Sequence, residues 1–178
     1  MKKLNRSSGV LLHITSLPGS YGIGEIGSQA FKFVDDLAEM NQKLWQILPD
    51  NPTDNYNCPY GSISAFANNP LLISLDFLIR DGWLSSKDLI NYPKSDSNKI
   101  SFKDINSIRN SLLSKSVDNF LKNITDNQST DFKKFCKKNK YWLDDFALFN
   151  VLQEVLNEEQ WIKWPSNYKL LNTNHISS

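Results

Sequence analysis

Pairs of neighbouring acidic residues are the first groups in this sequence that could do chemistry. They occur at Asp35-Asp36, Asp144-Asp145 and Glu158-Glu159. Two carboxyl groups, one acting as nucleophile or base and the other as acid, are what chemistry at a glycosidic bond requires. Adjacent residues on a helix point about 100° apart, however, so such pairs usually lie at a solvated edge or near a helix N-terminus. We interpret the three pairs as surface charges and predict no catalytic residue from them.

Residues 22–27 read Gly-Ile-Gly-Glu-Ile-Gly, which satisfies the G-x-G-x-x-G pattern of a dinucleotide-binding turn. In a true fingerprint the first glycine leaves the strand directly, so that the next helix N-terminus points at the pyrophosphate. Here residues 15–21 separate the predicted strand from Gly22. A nucleotide-binding protein is therefore the weaker alternative, and the glycines are expected to shape a loop that leads into a helix.

Histidine and cysteine offer little for nucleophilic catalysis. His13 falls on a predicted strand and His175 in the terminal tail, with no base and nucleophile spaced around them. The cysteines, Cys58 and Cys136, are far apart and show no C-x-x-C spacing, which excludes a cysteine-rich zinc site and suits a reducing cytosol. We predict no metal site.

Two tyrosines, Tyr56 and Tyr60, lie in a long polar segment, residues 50–69, that is rich in Asn, Ser and Pro. Long loops of this kind are usually functional or disordered. Aromatic side chains in a polar loop suit stacking against a ligand such as a sugar ring. The loop is therefore the first candidate for a binding site.

A strand, a helix and a second strand are predicted to position this loop. The apolar run Val10 to Ile14 is predicted as a buried strand. Ser28 is the predicted N-cap of a helix, because apolar residues recur at helical spacing from there to Ala38. Leu44 to Leu48 is a second strand, which Pro49 ends. A right-handed βαβ unit with parallel strands is the economical arrangement.

The composition changes near residue 75. Six of the seven Gly and five of the seven Pro lie in residues 9–70, whereas residues 100–160 contain neither. This distribution predicts a sheet-forming segment followed by a helical one.

Three helices are predicted in the second segment. Ser101, with an acidic residue three positions later, resembles a capping box that opens a helix with an apolar face reaching Ile124. A shorter helix is predicted from Thr130 to Cys136, and another from Trp142 to Leu156. From Ser166 onward the periodicity is lost, which predicts a frayed tail.

The composition of the whole chain excludes several classes of protein. The 178 residues carry 20 Lys plus Arg against 19 Asp plus Glu, a formal charge of +1, which gives no reason to expect a nucleic-acid or anionic-membrane partner. No stretch approaches the ~18 consecutive apolar residues that span a bilayer. The apolar run after the N-terminus is too short for a secretory signal. We predict a soluble, cytoplasmic protein of one ordinary domain's length.

A series of short segments closely resembles the N-terminal signature of the 4-α-glucanotransferases, also called amylomaltases or disproportionating enzymes. The segments are Ser8-Gly9-Val10-Leu11-Leu12-His13, Thr15-Ser16-Leu17-Pro18, Tyr21-Gly22-Ile23-Gly24, Trp45-Gln46-Ile47-Leu48-Pro49, Pro52-Thr53, Pro59-Tyr60, Ser64-Ala65-Phe66-Ala67, Asn69-Pro70-Leu71-Leu72-Ile73, Tyr141-Trp142-Leu143-Asp144-Asp145-Phe146-Ala147-Leu148-Phe149 and Trp161 to Pro165. They occur in the family's order, and the match reaches about residue 165.

The resemblance implies the fold class α/β and the N-terminal portion of a (β/α)8 barrel with a helical insertion. Residues 1–74 would be the first βαβ unit with the substrate loop, residues 75–165 a helical insertion, and residues 166–178 the tail. The implied activity moves an α-1,4-glucan segment from a maltooligosaccharide donor to the 4-hydroxyl of an acceptor, by a retaining double displacement and without a cofactor.

The resemblance also implies which residues touch the glucan. By matching position Tyr60 is the best substrate contact, with Cys58 and Asn69 weaker. The loop departs from the family pattern: residues 50–56 read Asp-Asn-Pro-Thr-Asp-Asn-Tyr in place of the usual Leu-Gly-Pro-Thr-Gly-Tyr-Gly, and Cys58 and Asn68 replace a serine and a glycine. A thiol is a weaker hydrogen-bonding group than a hydroxyl.

The residues that carry the family's chemistry are expected in segments that this sequence does not contain. The resemblance places the nucleophile in an Arg-x-Asp-His segment, the acid in Glu-Asp-Leu-Gly and a further catalytic residue in a later His-Asp. None of these occurs in the 178 residues. A complete barrel takes about 250 residues. We therefore expect an N-terminal fragment with an incomplete barrel that is inactive by itself, and a non-catalytic glucan-binding module stays open as the alternative.

Overall fold

A computed structural model describes residues 6–90, 92, 100–157 and 160–169. The helices and strands in chain order are β1 (Gly9–Leu11), α1 (Ser28–Glu39), β2 (Leu44–Gln46), α2 (Leu75–Arg80), α3 (Phe102–Asn123), α4 (Asp126–Leu156) and α5 (Ser166–Lys169). Single 3-10 turns lie at Ile14–Ser16, Pro70–Leu72, Ser86–Leu89 and Trp161–Lys163. The chain divides into two compact units, Met1–Ile124 and Thr125–Ser178. The predicted division at residues 74 and 165 stays a prediction.

The first unit begins with the predicted parallel βαβ arrangement. Strand β1 pairs with β2 in parallel, with Val10 opposite Trp45 at the centre of the register. The strand–helix–strand order and the parallel direction are confirmed. Both strands are shorter than the apolar runs suggest: Ile14 lies in a 3-10 turn, where its side chain is buried in the core rather than extended along the sheet.

One face of this sheet packs against α1. Ile14, Leu17, Ala30 and Leu72 form the buried cluster, and Leu12, Phe33 and Trp45 pack around it. The ring centroids of Phe33 and Trp45 lie 4.9 Å apart, edge to face. The other face is bare among the described residues, with Leu11 and Leu44 each 58% exposed.

Residues at its two ends determine where α1 begins and ends. Gly27, not Ser28 as predicted, occupies the N-cap, and no side chain caps the helix there. The helix ends in a Schellman motif, in which Asn41 adopts a left-handed conformation with φ of 56°. The amide of Asn41 donates to the Ala38 carbonyl at 3.0 Å, and that of Gln42 donates to the Leu37 carbonyl at 2.9 Å. Asparagine tolerates this conformation better than most residues, so it sets the turn toward β2.

Helices α2 and α3 pack together around leucines. Leu75, Leu78, Leu84 and Leu112 form their buried cluster. Ser101 is the N-cap residue of α3, as predicted, but its hydroxyl donates to the Asp104 carboxylate at 2.5 Å and does not cap the backbone. The apolar face of α3 joins this cluster through Leu112, and through Ile105 it joins a second buried cluster with Ile23 and Leu71.

The second unit is dominated by one long helix. The two helices predicted over residues 130–136 and 142–156 are a single helix, α4, so the predicted break is wrong. The intervening residues 137–141, Lys-Lys-Asn-Lys-Tyr, contain no Gly or Pro, and lysine is a good helix former. Thr125 opens α4 with a capping box, accepting the Gln128 amide at 3.3 Å. Near its end the Phe149 ring lies 5.4 Å from that of Trp164.

Part of the predicted tail is ordered into a helical turn. Ser166–Lys169 form α5, so residue 166 is not the start of a structureless segment. The remaining predictions for the tail, including His175, and the Glu158-Glu159 pair lie outside the described residues. None of the helices in the described ranges combines the length and the apolar character needed to cross a bilayer.

Candidate functional site

The loop between β2 and α2 is a closed structure rather than a loose connection. At its base the Asn69 amide donates to the Asp50 carbonyl at 2.7 Å, and the Asn51 side chain donates to the Ala67 carbonyl at 2.9 Å. Higher up, an antiparallel bridge joins Thr53 to Ser62. These bonds give the polar segment a fixed geometry although it has almost no apolar core.

The tip of the loop presents Tyr60 on a tight turn. The Gly61 amide donates to the Cys58 carbonyl at 2.9 Å, which places Pro59 and Tyr60 at the two central positions of a β-turn. Proline favours the first of these positions because its ring fixes φ near the value the turn needs. The Tyr60 side chain is consequently 75% exposed, and Cys58 is an exposed free thiol.

Asp54 supports this tip from inside the loop. Its carboxylate accepts the Tyr56 amide at 3.0 Å. It also lies against the backbone of Gly61, where a Cβ would come within 2.7 Å of Oδ2. A larger residue at position 61 would have to displace the Asp54 carboxylate, so this close approach favours glycine.

A polar cavity of about 490 Å³ lies beside the loop. This volume falls within the range of about 300–1,000 Å³ that is usual for small-molecule sites. Most of the wall consists of amide, hydroxyl and charged side chains, and it contains no aromatic ring. The lining residues are Pro52, Thr53, Asp54, Asn55, Asn57, Asn69, Pro70, Leu71, Lys103, Asn106 and Asn110.

Only one of the three predicted contacts reaches this cavity. Asn69 lines it, and its side-chain oxygen also accepts the Leu71 amide at 3.0 Å, which caps the 3-10 turn. Tyr60 and Cys58 are not part of the lining. The loop therefore offers two separate surfaces, the exposed turn with Tyr60 and the amide-lined cavity with Asn69.

Helix α3 contributes a cavity wall that the sequence interpretation missed. Lys103, Asn106 and Asn110 follow each other at helical spacing and form one stripe on α3. A polar helix stripe normally faces solvent, so nothing local marks these residues. Their position opposite the apolar face that includes Ile105 and Leu112 is also that of an ordinary solvated stripe, so no sequence signal separates the two cases.

The glycines of residues 22–27 make close backbone contacts instead of a phosphate cradle. A Cβ on Gly24 would lie 2.0 Å from the Ile14 carbonyl oxygen, and one on Gly27 would lie 2.7 Å from the Ser74 hydroxyl. The amide of Gly24 donates to the Thr15 carbonyl at 3.0 Å. The glycines therefore let this loop pack closely against its neighbours. This agrees with the prediction that they shape a loop leading into a helix.

Glu25, within the same segment, further opposes an anionic ligand. Its carboxylate pairs with Arg109 at 2.6 Å and accepts the first amide of α2, that of Leu75, at 3.3 Å. Burial raises the pKa of Glu25, and the Arg109 guanidinium opposes that rise. A buried carboxylate thus lies within the glycine segment itself and repels negative charge there, so the dinucleotide alternative gains no support.

A smaller cavity of about 50 Å³ lies between Glu25 and Asp76. The Tyr21 hydroxyl donates to the Asp76 carboxylate at 2.5 Å, and both burial and this bond raise the pKa of Tyr21. The cavity is far below the usual size of a ligand site, and both carboxylates are already bonded. We do not assign it a catalytic role.

The remaining acidic pairs lie at the surface. Asp36 pairs with Lys32 at 2.7 Å, and Asp144 and Asp145 are exposed on α4. In the described part of the chain no three His, Cys, Asp or Glu side chains come together as a metal site.

Comparison with known proteins assigns the chain to a family. The profile of a family described as 4-alpha-glucanotransferase matches residues 12–178. A 4-alpha-glucanotransferase of Streptococcus pneumoniae is 42% identical over 166 residues, which are 93% of this chain and 32% of that protein. One from Synechocystis is 40% identical over 159 residues, 89% of this chain and 32% of that protein.

A solved structure agrees with these relatives. The amylomaltase from Streptococcus agalactiae, in complex with acarbose, matches with a TM-score of 0.85 and 38% identity, over 92% of this chain and 32% of that one. The chain thus spans about a third of the length of the proteins it matches.

Proposed function

The chain belongs to the 4-alpha-glucanotransferase family, and we propose that it forms the glucan-binding start of an enzyme that transfers α-1,4-glucan segments between maltooligosaccharides. The observation that carries the proposal is the fixed loop of residues 50–69, which presents Tyr60 on a tight turn beside an amide-lined cavity. The family match over residues 12–178 supports it. A non-catalytic module has no observation in its favour.

The proposed chemistry is a retaining double displacement in which a carboxylate nucleophile and a second carboxylic acid act in turn. The part of the enzyme described here would bind and orient the glucan. Tyr60 would stack on a sugar face, and Cys58 and Asn69 would contact hydroxyl groups. The exposed free thiol of Cys58 suits the reducing conditions of the cytoplasm, where we place the protein.

The proposed fold is the beginning of a (β/α)8 barrel with β1–α1–β2 as its first βαβ unit. The parallel pairing and the substrate loop that follows β2 support this arrangement, because such barrels place ligand contacts in the loops after their strands. The bare sheet face with Leu11 and Leu44 would then face the barrel interior.

Tyr60→Ala is expected to weaken maltoheptaose binding by the 178-residue chain roughly tenfold, about 1.4 kcal/mol, because it removes an exposed ring held on the turn. Binding would be followed by two-dimensional NMR titration. Tyr141→Ala, which removes a 70% exposed tyrosine from α4, is the matched control. Equal affinities for Tyr60→Ala and Tyr141→Ala would remove Tyr60 from the site, and the absence of any glucan-dependent shift in the unmodified chain would reject the proposed function.

Cys58→Ser is expected to strengthen the same binding by about two- to fivefold, because a hydroxyl both donates and accepts stronger hydrogen bonds than a thiol. Cys58 is exposed beside Tyr60, so the change should not disturb the core. Cys136→Ser on α4 serves as the control. Weaker binding by Cys58→Ser would show that the thiol itself is the better contact.

A further inference from the structure

His13 lies at the carboxyl end of β1. The Leu12 amide donates to the Gln46 carbonyl at 3.0 Å, so the parallel ladder continues one residue beyond β1, and His13 is extended with φ −71° and ψ 145°. Leu12 packs toward α1. Because side chains alternate along extended backbone, His13 falls on the opposite face, together with the exposed Leu11.

The same end of the sheet carries the base of the substrate loop. The Asp50 carbonyl accepts the amide of Asn69 at 2.7 Å. The Asp50 carboxylate is also close enough to His13 to favour the charged imidazole. His13 therefore stands beside the point where the loop with the proposed glucan contacts begins and ends.

The environment of His13 favours one tautomer of the neutral ring. Nδ1 is buried and has no hydrogen-bond partner in the described ranges, although the residue as a whole is only half-buried. Burial lowers the pKa of His13, and this effect exceeds the opposing one of Asp50. An unpaired buried donor is rarer than an under-satisfied acceptor, so the favoured tautomer leaves Nδ1 bare and places the proton on Nε2.

We propose that His13 donates a hydrogen bond from Nε2 to a hydroxyl group of the bound α-1,4-glucan. This inference rests on the proposed function and adds a binding residue to it. A neutral donor matches an uncharged sugar, and the carboxyl end of parallel strands is where α/β folds place their ligands. His13 would thus act from the sheet while Tyr60 and Asn69 act from the loop.

The first test uses the unmodified chain and ¹⁵N imidazole NMR. The sequence has only two histidines, so the spectrum of His13→Gln assigns both. We expect the free chain to show the Nε2–H tautomer of His13 at neutral pH, and maltoheptaose to shift the Nε2 resonance of His13 but not that of His175. A cationic ring, an Nδ1–H tautomer or an unshifted His13 in glucan-bound protein would overturn the inference.

The second test compares two substitutions. Glutamine can place an amide donor near the position of Nε2, so His13→Gln should bind maltoheptaose within about threefold of the unmodified chain, whereas His13→Phe should bind roughly three- to tenfold more weakly. Chemical shifts of α1 and α3 verify that each variant folds. If His13→Phe binds maltoheptaose as tightly as the unmodified chain while Tyr60→Ala still binds it more weakly, only the inference about His13 is rejected. No glucan binding by the unmodified chain rejects the proposed function as well.

Discussion

Arg109→Met is expected to lower the free energy of unfolding of the first unit by roughly 3–5 kcal/mol, the usual effect of removing one partner of a buried ion pair. Arg109 has no exposed surface, and its guanidinium pairs with the Glu25 carboxylate at 2.6 Å. A second guanidinium nitrogen donates to the Ile73 carbonyl. Methionine would leave the buried Glu25 carboxylate and the Ile73 carbonyl without their guanidinium donors.

The free energy of unfolding that Arg109→Met loses should increase as the pH rises. Without Arg109 the rise that burial causes in the pKa of Glu25 is opposed only by hydrogen bonds from Ser74 and Leu75. Between the unfolded-state pKa and this raised folded-state pKa, the folded state holds a proton that the unfolded state has released. Stability is then retained at low pH and falls as the pH rises through the folded-state pKa. The deficit of Arg109→Met relative to the unmodified protein should be smaller at about pH 5 than at about pH 8.

Urea unfolding followed by hydrogen exchange of β1, α1 and α3 amides measures this effect in the first unit. Arg80→Met, which breaks the exposed pair with Asp81, is the control and should change little. Combining Arg109→Met with Glu25→Leu should recover much of the stability, because a buried pair can be replaced by apolar groups. Equal unfolding curves for Arg109→Met and Arg80→Met would show that the pair does not stabilise the unit.

The ion pair also shows where sequence interpretation stops. Glu25 lies inside the glycine pattern and Arg109 on the helix predicted between Ser101 and Ile124; because 84 positions separate them, no local periodicity relates one to the other. The βαβ unit was predictable because its apolar runs and helical spacing are local. The interaction that links the glycine segment to α2 and α3 depends on tertiary packing.

The candidate site was also predictable only where its signals are local in sequence. The polar composition and tyrosines of residues 50–69 predicted the loop, whereas the β-turn that presents Tyr60 was found only in the structure. The cavity wall from α3 could not be predicted, because Asn106 and Asn110 look like an ordinary solvated stripe. The prediction of two helices in place of α4 failed for a related reason: a weakly apolar stretch such as residues 137–141 lacks a packing signal but keeps good helix propensity.

Maltotriose incubated with the purified 178-residue chain is expected to remain unchanged. A retaining transfer needs two carboxyl groups about 5–5.5 Å apart across the scissile bond. The large cavity offers a single carboxylate, Asp54, which is bonded to the Tyr56 amide. In the small cavity Glu25 is paired with Arg109, and Asp76 accepts the Tyr21 hydroxyl.

Product analysis by chromatography gives a direct measurement, with an active amylomaltase as the positive control and buffer as the blank. We expect neither glucose nor longer maltooligosaccharides above the blank, while maltoheptaose still binds. Turnover would contradict the prediction, and Asp54→Asn would then show whether that carboxylate takes part. Binding without turnover would separate two tasks that the complete family fold combines: this chain would recognise the glucan through Tyr60 and its loop, and the reacting carboxylates would have to come from other residues.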